Sequence, residues 1–494
     1  MSRKSTPRRK DAEPQGEPLA LAPSHLGDPA LNPLGAPGPV GAKPTSPGQR
    51  PGNPANQNPP SPERAEQPEL PEGWQIKRLG DLLRQVDVRQ ADLPESEAEG
   101  LEVLSLTKND GLILQRQRFG KRIATEDTSK YKVVRAEQIV YNPYVIWEGA
   151  VHALRKYPVG LVSPVYPVWE TCEADGGFID YLLRTPQLIE AYNRVCSGAV
   201  NRRRSIREED FTAIPVTVPD LQERRAIAGV LRTVQRAREA CARVLAATRQ
   251  LKQSLLHHLF TYGPVPFPQA DHVPLQETEI GPMPEHWELP TFGEHVEVAR
   301  GQVDPREKPY SAMLHVGPEH IESGSGRLLA LSTAAETGLI SGKYLFSERD
   351  VLYSKIRPYL RKAALPSFAG VCSADMYPLR PKLSLDRRFL FFWLLSDAFT
   401  RAIVPSQDRT GIPKVNRQQL NSTPLPLPPL SEQREIARQL AAVDAKLAAL
   451  EARRAALDAL FRSLLEHLMT GRLRLPEFRN ARGRSCQAAG EAGA

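Results

Sequence analysis

Residues 215–261 read PVTVPDLQERRAIAGVLRTVQRAREACARVLAATRQLKQSLLHHLFT, and residues 424–470 read PLPLPPLSEQREIARQLAAVDAKLAALEARRAALDALFRSLLEHLMT. At a constant offset of 209 the two strings are identical at 19 of 47 positions, with no gap. One inserted residue turns a helix face by about 100°, so gap-free matching means that helix length and helix phase are both held. Each string leaves a proline-rich run and then offers a cap, Asp220 in the first and Ser431 in the second, ahead of an apolar stripe. In the second string the stripe is Ile436, Leu440, Val443, Leu447, Leu450, Arg454, Leu457, Phe461, Leu464 and Leu468, spaced alternately four and three. Its equivalents in the first are Ile227, Leu231, Val234, Arg238, Cys241, Leu245, Thr248, Lys252, Leu255 and Leu259. That spacing predicts a coiled-coil seam, and the 33 residues from Ile227 to Leu259 would measure about 50 Å at 1.5 Å each. Tyr262-Gly263-Pro264 and Gly471 stop the two rods. A lone rod would leave its stripe wet, so the rods are expected to pack on each other, antiparallel and related by a pseudo-twofold.

Outward from the rods the repeat continues. Leu70-Pro71-Glu72-Gly73-Trp74 returns as Met283-Pro284-Glu285-His286-Trp287, with Gly80 and Gly293 in the same register. Two blocks of roughly 150 residues follow these openings, with short β-like runs such as Gln138–Tyr141 and Asp350–Tyr353 among Pro and Gly turns. Val140-Tyr141 aligns with Leu352-Tyr353, and Gly160-Leu161-Val162-Ser163 with Gly370-Val371-Cys372-Ser373; elsewhere the blocks diverge. The fold class expected is α+β, with two globular domains separated by two long helices. The boundaries expected are an extension over 1–69, blocks over 70–219 and 283–428, helices over 220–262 and 429–470, a linker over 263–282 and a tail over 471–494. Residues 1–69 hold 16 of the chain's 46 prolines and read as a disordered extension.

Several classes of protein are excluded early. The longest strongly apolar run, Phe389–Leu395, is seven residues, against about 20 for a membrane-spanning helix. The five cysteines lack C-x-x-C spacing and read as reduced thiols of a cytoplasmic protein. Asn142-Pro143-Tyr144 is similar to the loop with which amino-methyltransferases hold a flipped base, but the aligned second block has Ser354-Lys355-Ile356-Arg357-Pro358 instead. No phosphate-binding glycine loop or Gly-x-Ser-x-Gly elbow accompanies it, and Gly324-Ser325-Gly326 stands alone. His257-His258 lies at a rod end, where histidines favour a helix C-terminus, and no metal site is expected. The expectation is a chain with no catalytic residues and no bound cofactor of its own.

Basic clusters point to a polyanion instead. The formal charge is +8 over 494 residues. Arg116, Arg118, Lys121 and Arg122 flank Phe119; Asn201, Arg202, Arg203, Arg204 and Arg207 form a second cluster; Lys355, Arg357, Arg361 and Lys362 surround Tyr359. Arg409, Lys414 and Arg417 precede the second rod where Asn201–Arg207 precedes the first. Arginine and asparagine in such loops meet phosphates or read base edges, so these residues are the candidate DNA contacts.

Taken together, the paired L/M-P-E-x-W openings, Asp350-Val351-Leu352-Tyr353-Ser354-Lys355-Ile356-Arg357-Pro358, P-L-P-P-L-S-E-Q-R-E-I at 426–436 and L-L-E-H-L-M-T-G at 464–471 resemble the specificity subunit of type I restriction-modification systems. The first repeat departs at Glu223-Arg224-Arg225, where that family favours Glu-Gln-Arg. The resemblance covers about 70–475 and implies a non-catalytic reader of double-stranded DNA. Two target-recognition domains would each bind half of a split asymmetric site, with the rods as a ruler. It also implies partners: two copies of a modification subunit that binds S-adenosylmethionine and methylates adenine at N6, and up to two restriction subunits that use ATP and Mg. A spare specificity subunit or DNA-binding scaffold without its own methyltransferase would carry the same sequence.

Overall fold

A computed structural model describes residues 70–108, 110–120, 127–196, 204–404 and 413–479. The expectations for residues 1–69 and for the tail past residue 479 lie outside them.

The two repeats of the opening strings form helices Leu221–Tyr262 and Leu430–Met469. Asp220 caps the first, its carboxylate accepting the Glu223 amide at 2.9 Å. Ser431 does not cap the second. Pro429 takes that place, because the Pro428-Pro429 pair already sets the extended backbone a cap needs, and its carbonyl accepts the Glu432 and Gln433 amides at 2.9 and 3.0 Å. Both helices end on a glycine at positive φ, Gly263 at 79° and Gly471 at 68°.

The rods lie against each other antiparallel: Arg238 meets Asp458 at 2.5 Å, Arg249 meets Glu451 at 2.8 Å and Lys252 meets Asp444 at 2.6 Å, partner numbers falling as the first rod's rise. At the middle the Cys241 thiol donates to the Leu450 carbonyl at 3.5 Å. These two residues are each other's repeat equivalents, so the pseudo-twofold passes between them. The rod-on-rod seam is short, comprising Cys241, Leu245, Leu447, Leu450 and Leu457. Arg454 is exposed, and Val234 and Val443 are half-buried.

Toward their ends the stripes leave the seam and enter the blocks. Ile227, Ala228 and Leu231 from the start of the first rod join Phe461, Leu464, Leu465, Leu468 and Met469 from the end of the second in the core of the first block. Leu255, Leu256, Leu259 and Phe260 join Ile436, Ala437 and Leu440 in the core of the second. Each core is therefore closed by one rod's beginning and the other rod's end.

The blocks share one topology. In the first, a four-stranded sheet runs in the order Leu83–Val86, Val168–Thr171, Ile139–Tyr141, Val151–Ala153; in the second the order is Val296–Val298, Met376–Pro381, Val351–Ser354, Ala363–Ala364. All paired strands in these sheets are antiparallel. Strands Ile139–Tyr141 and Val351–Ser354 are buried on both faces, which explains their unbroken apolar reading. The second segment that aligned, Gly160–Val162 against Gly370–Cys372, also lies in matching places: Leu161 bridges Val103 in parallel, and Val371 pairs His315 in parallel. The α+β architecture with two antiparallel long helices about an internal pseudo-twofold is thus the observed fold.

The opening motif has a physical role. A Cβ on Gly471 would collide with Pro71 and lie 3.4 Å from Trp74, while one on Gly263 would sit 3.5 Å from Trp287 and 3.8 Å from Pro284. The Pro-Glu-x-Trp of each block thus packs on the glycine that ends the other block's rod. The Trp287 indole donates to Glu432 at 3.0 Å. Its repeat equivalent Glu223, almost fully buried, instead accepts both arms of Arg474 at 3.0 and 2.6 Å. Among the described residues no helix is long and apolar enough to cross a membrane.

Glu223→Gln removes the carboxylate that holds both arms of Arg474, whose side chain is only 18% exposed, and leaves it the weaker pull of Glu72 and Asp220. Urea unfolding should show about 2–4 kcal/mol less stability, and trypsin should cut faster after Arg474.

Candidate nucleic-acid interface

In each block a short strap joins the two strands at the open end of the four-stranded sheet: residues 142–150 in the first and 355–362 in the second. Each strap contains one 3₁₀ turn, Ile146–Glu148 or Pro358–Leu360, and each lifts one tyrosine into solvent, Tyr144 at 46% and Tyr359 at 53% exposure. The segment that leads toward the rod fastens each strap from behind. Ile206 donates its amide to the Pro143 carbonyl at 3.2 Å, while Arg357 donates to Pro413 at 2.9 Å and Val415 to Lys355 at 2.8 Å.

The first strap is shaped by its own side chains. Asn142 accepts the Tyr144 amide at 3.0 Å and donates to the Tyr166 hydroxyl at 3.2 Å, so its carboxamide braces a turn. The Trp147 indole donates to the Tyr144 carbonyl at 3.1 Å, and the Arg204 guanidinium lies over the Trp147 ring at 5.4 Å. In the second strap Arg357 and Arg361 bracket the 3₁₀ turn at φ 51° and 49°. Left-handed backbone is costly for a long side chain, and such positions cluster at ligand-binding segments.

The predicted contacts separate into two groups. Among the described residues, the exposed Arg357 guanidinium makes no ion pair and Tyr359 stands beside it, while Lys355 lies over the Tyr377 ring at 5.4 Å. The others are committed to the protein itself. Arg361 pairs with Asp397, and the Lys362 ammonium donates to the Pro318 carbonyl at 2.7 Å. Lys414 lies 3.7 Å from Asp375. Arg417 donates to the Val298 and Ala299 carbonyls at 3.1 and 2.5 Å, its guanidinium 5.6 and 5.0 Å from the Tyr344 and Tyr377 rings. Burial pushes the Tyr377 hydroxyl up, against the pull of Arg417. In the first block Arg116 pairs with Glu102 at 3.1 Å, Arg118 donates to the Leu106 carbonyl at 3.1 Å, Arg204 donates to the Asn193 carbonyl at 2.7 Å, and Arg207 pairs with Asp210 at 2.9 Å. Lys121, Arg122, Asn201, Arg202, Arg203 and Arg409 lie outside the described residues.

Sequence reasoning did not place Tyr144 at this interface. The available signal was the alignment of Val140-Tyr141 with Leu352-Tyr353, which puts residues 142–150 opposite the strap that carries Tyr359. A rigid exposed aromatic beside a cation suits stacking on a base and contact with a phosphate or guanine edge.

Two blocks of one topology sit on the ends of a shared pair of rods and differ in their straps, so the chain is a two-headed scaffold. Residues 319–458 match the type I restriction modification DNA specificity domain. The chain is 33% identical over 252 residues to the Escherichia coli type I restriction enzyme EcoDI specificity subunit, a match covering 48% of this chain and 56% of that relative. It is 21% identical over 430 residues to the putative type I restriction enzyme MjaX specificity subunit of Methanocaldococcus jannaschii, covering 82% and 95% of the two chains. The crystal structure of the type I restriction-modification system S subunit from M. genitalium shares the fold, with a TM-score of 0.50, 15% identity and coverage of 80% and 96%. Residues 319–458, the greater part of the second block and most of the second rod, thus carry a type I restriction modification DNA specificity domain, and the chain as a whole is similar to type I specificity subunits.

Arg357→Ala and Arg417→Ala should separate recognition from stability. Arg357→Ala should leave the melting temperature unchanged and weaken DNA binding by about 1–3 kcal/mol if the guanidinium holds a base edge. Arg417→Ala should lower stability by about 1–3 kcal/mol, because two partly buried carbonyls lose their donor.

Proposed function

We propose that the chain is the non-catalytic DNA-reading subunit of a type I restriction-modification complex. Each block reads one half of a split asymmetric site in double-stranded DNA. The rods hold the blocks at a fixed separation and phase and present two docking positions for a modification subunit. That partner binds S-adenosylmethionine and methylates adenine; restriction subunits, where they join, supply ATP- and Mg-dependent chemistry. The complex acts in the cytoplasm, where its DNA is.

One observation carries this reading: each core takes a piece of both rods, so the exposed straps of the two blocks sit on one continuous scaffold. A 42-residue rod is about 60 Å long, enough to set two readers on grooves a DNA turn of about 34–36 Å apart with some tilt. The pseudo-twofold supports two like docking positions, since it makes the faces of the rod pair alike. Tyr144 and Tyr359 support stacking within each half-site, and the difference between their straps supports two different half-sites.

The purified chain should transfer no methyl group from labelled S-adenosylmethionine to DNA, and should direct adenine methylation to one split sequence when expressed with a modification subunit. Methyl transfer by the chain alone would overturn the proposal.

The ruler has its own test. Residues 246 and 450 face each other across the rods, by the same falling numbers that pair Arg238 with Asp458 and Lys252 with Asp444. Four residues inserted after Ala246 and four after Leu450 lengthen the scaffold by about 6 Å, one helical turn. Methylation sequencing should then show the unread gap longer by one or two base pairs of about 3.4 Å, with both half-sites unchanged.

A further inference from the structure

The second block contains a side-chain cluster that neither the fold nor DNA reading requires. His315 lies on the short strand His315–Val316, buried to 4% exposure, and among the described residues neither ring nitrogen has a hydrogen-bond partner. The chain then turns through Gly317 into the 3₁₀ turn Pro318–His320, which brings Glu319 and His320 back over the strand. The rings of His315 and His320 meet edge to face with centroids 5.6 Å apart. One donor atom from each of His315, Glu319 and His320 lies within 4.8 Å of the others.

We propose that His315, Glu319 and His320 form a binding site for a zinc-type divalent cation. Two imidazoles and one carboxylate suit a late first-row metal, and three protein ligands leave a fourth position for water. Calcium and magnesium, which demand oxygen ligands, fit poorly. Three features of the site point to a ligand. A buried imidazole with no partner for either nitrogen leaves a polar group unsatisfied, which costs free energy unless something binds there. The Glu319 carboxylate folds back over the turn into the space that a Cβ on Gly317 would occupy. The matching place in the first block, the parallel contact of Val103 with Leu161, holds a valine in an apolar cluster, so the strand pairing itself has no need of histidine.

The local balance also contains opposition. The lone pair of His320 Nδ1 accepts the Gly317 amide at 3.0 Å, and a cation must compete for it or take the other nitrogen. The Lys343 ammonium is nearby in charge terms, but donates to the carbonyl and hydroxyl of Ser341 at 2.7 and 2.6 Å, which anchors it there. Drawing three donors onto an ion at about 2.0–2.2 Å needs rotamer movement of roughly 1 Å. Glu319, exposed, and His320, partly exposed, are free to supply it. The Pro318 carbonyl between these ligands accepts the Lys362 ammonium, so an ion here would stiffen the turn that anchors the strap of Tyr359.

The test uses the full untagged chain, stripped with EDTA and desalted, then titrated with zinc chloride against a chromophoric chelator. Cobalt(II) serves as a spectroscopic probe. One equivalent should bind, zinc should raise the melting temperature, and cobalt should give visible d–d bands without a thiolate charge-transfer band. Glu319→Gln and His320→Ala should each weaken zinc binding by about tenfold or more, since even an outer-shell change costs that much. His315→Val, which installs the residue of the first block, should abolish it. No stoichiometric uptake, a thiolate band, or uptake unchanged in Glu319→Gln and His320→Ala would overturn the proposal. If His315→Val does not fold, those two less buried variants decide.

Discussion

The antiparallel crossing of the two rods at Cys241 and Leu450 is the constraint on which everything else rests. Because each rod is shared, its start lies in one core and its end in the other, and a single inserted residue would turn one block by about 100° against its neighbour. That is why the repeat tolerates change of residue yet no change of length. Charged residues at the seam reinforce the same constraint. Arg238, Arg249 and Lys252 lie on the first rod, and Asp444, Glu451 and Asp458 on the second, so cations meet carboxylates only when the rods run in opposite directions. Lys252 is buried and burial pushes the Asp444 carboxyl up while Lys252 pulls it down, so the pair adds less to stability than an apolar contact would. What it contributes is register, as polar seam residues do elsewhere in coiled coils.

The pseudo-twofold is broken where the backbone demands it. Glu432 and Glu223 occupy the same place at the start of each rod, but the first faces Trp287 and the second faces Arg474. At the first rod's end the chain continues into the second block, and Trp287 arrives beside Glu432 as part of that continuation. At the second rod's end it turns back along the first block, which brings Arg474 to Glu223 and leaves the Trp74 indole without a partner among the described residues. The same repeat position thus anchors two different chain segments, through a half-buried carboxylate at Glu432 and a buried one at Glu223, and the joint at each end of the scaffold is fixed.

Period and repetition made the rods, their phase and their orientation legible in the sequence, because an α-helix writes its buried face at a fixed spacing. The reach of that stripe was not legible: the same heptad positions serve the seam at Leu245 and a block core at Ile227, and sequence spacing does not distinguish a facing helix from a facing sheet. Ser431 read as a cap by composition, but Pro429 already held the required backbone two residues earlier. The site was read by charge, and charge does not say where a guanidinium points. Arg417 and Arg357 look alike in the sequence; one fills a slot between two carbonyls and two tyrosine rings, and the other faces water. Tyr144 went unplaced because a loop aromatic carries no periodicity, and His315 because its partners are gathered by a turn and a parallel strand contact.

These contacts also determine what counts as a module. The straps differ between blocks while the strands beneath them, Ile139–Tyr141 and Val351–Ser354, remain buried and alike, so a strap can change without disturbing the sheet. The cores, however, do not end where the helices begin. The first block needs Ile227 to Leu231 and also Phe461 to Met469; the second needs Leu255 to Phe260 and also Ile436 to Leu440. A unit that exchanges whole must therefore carry its own rod ends, and the cut that breaks fewest packed contacts lies near Cys241 on one rod and near Leu450 on the other. There the packing to be matched is the short apolar seam, its flanking ion pairs and the contact of Arg327 with Glu451. A protein built this way can take a change in either block while the separation between the blocks stays fixed, because the seam sets length and phase independently of what either strap carries.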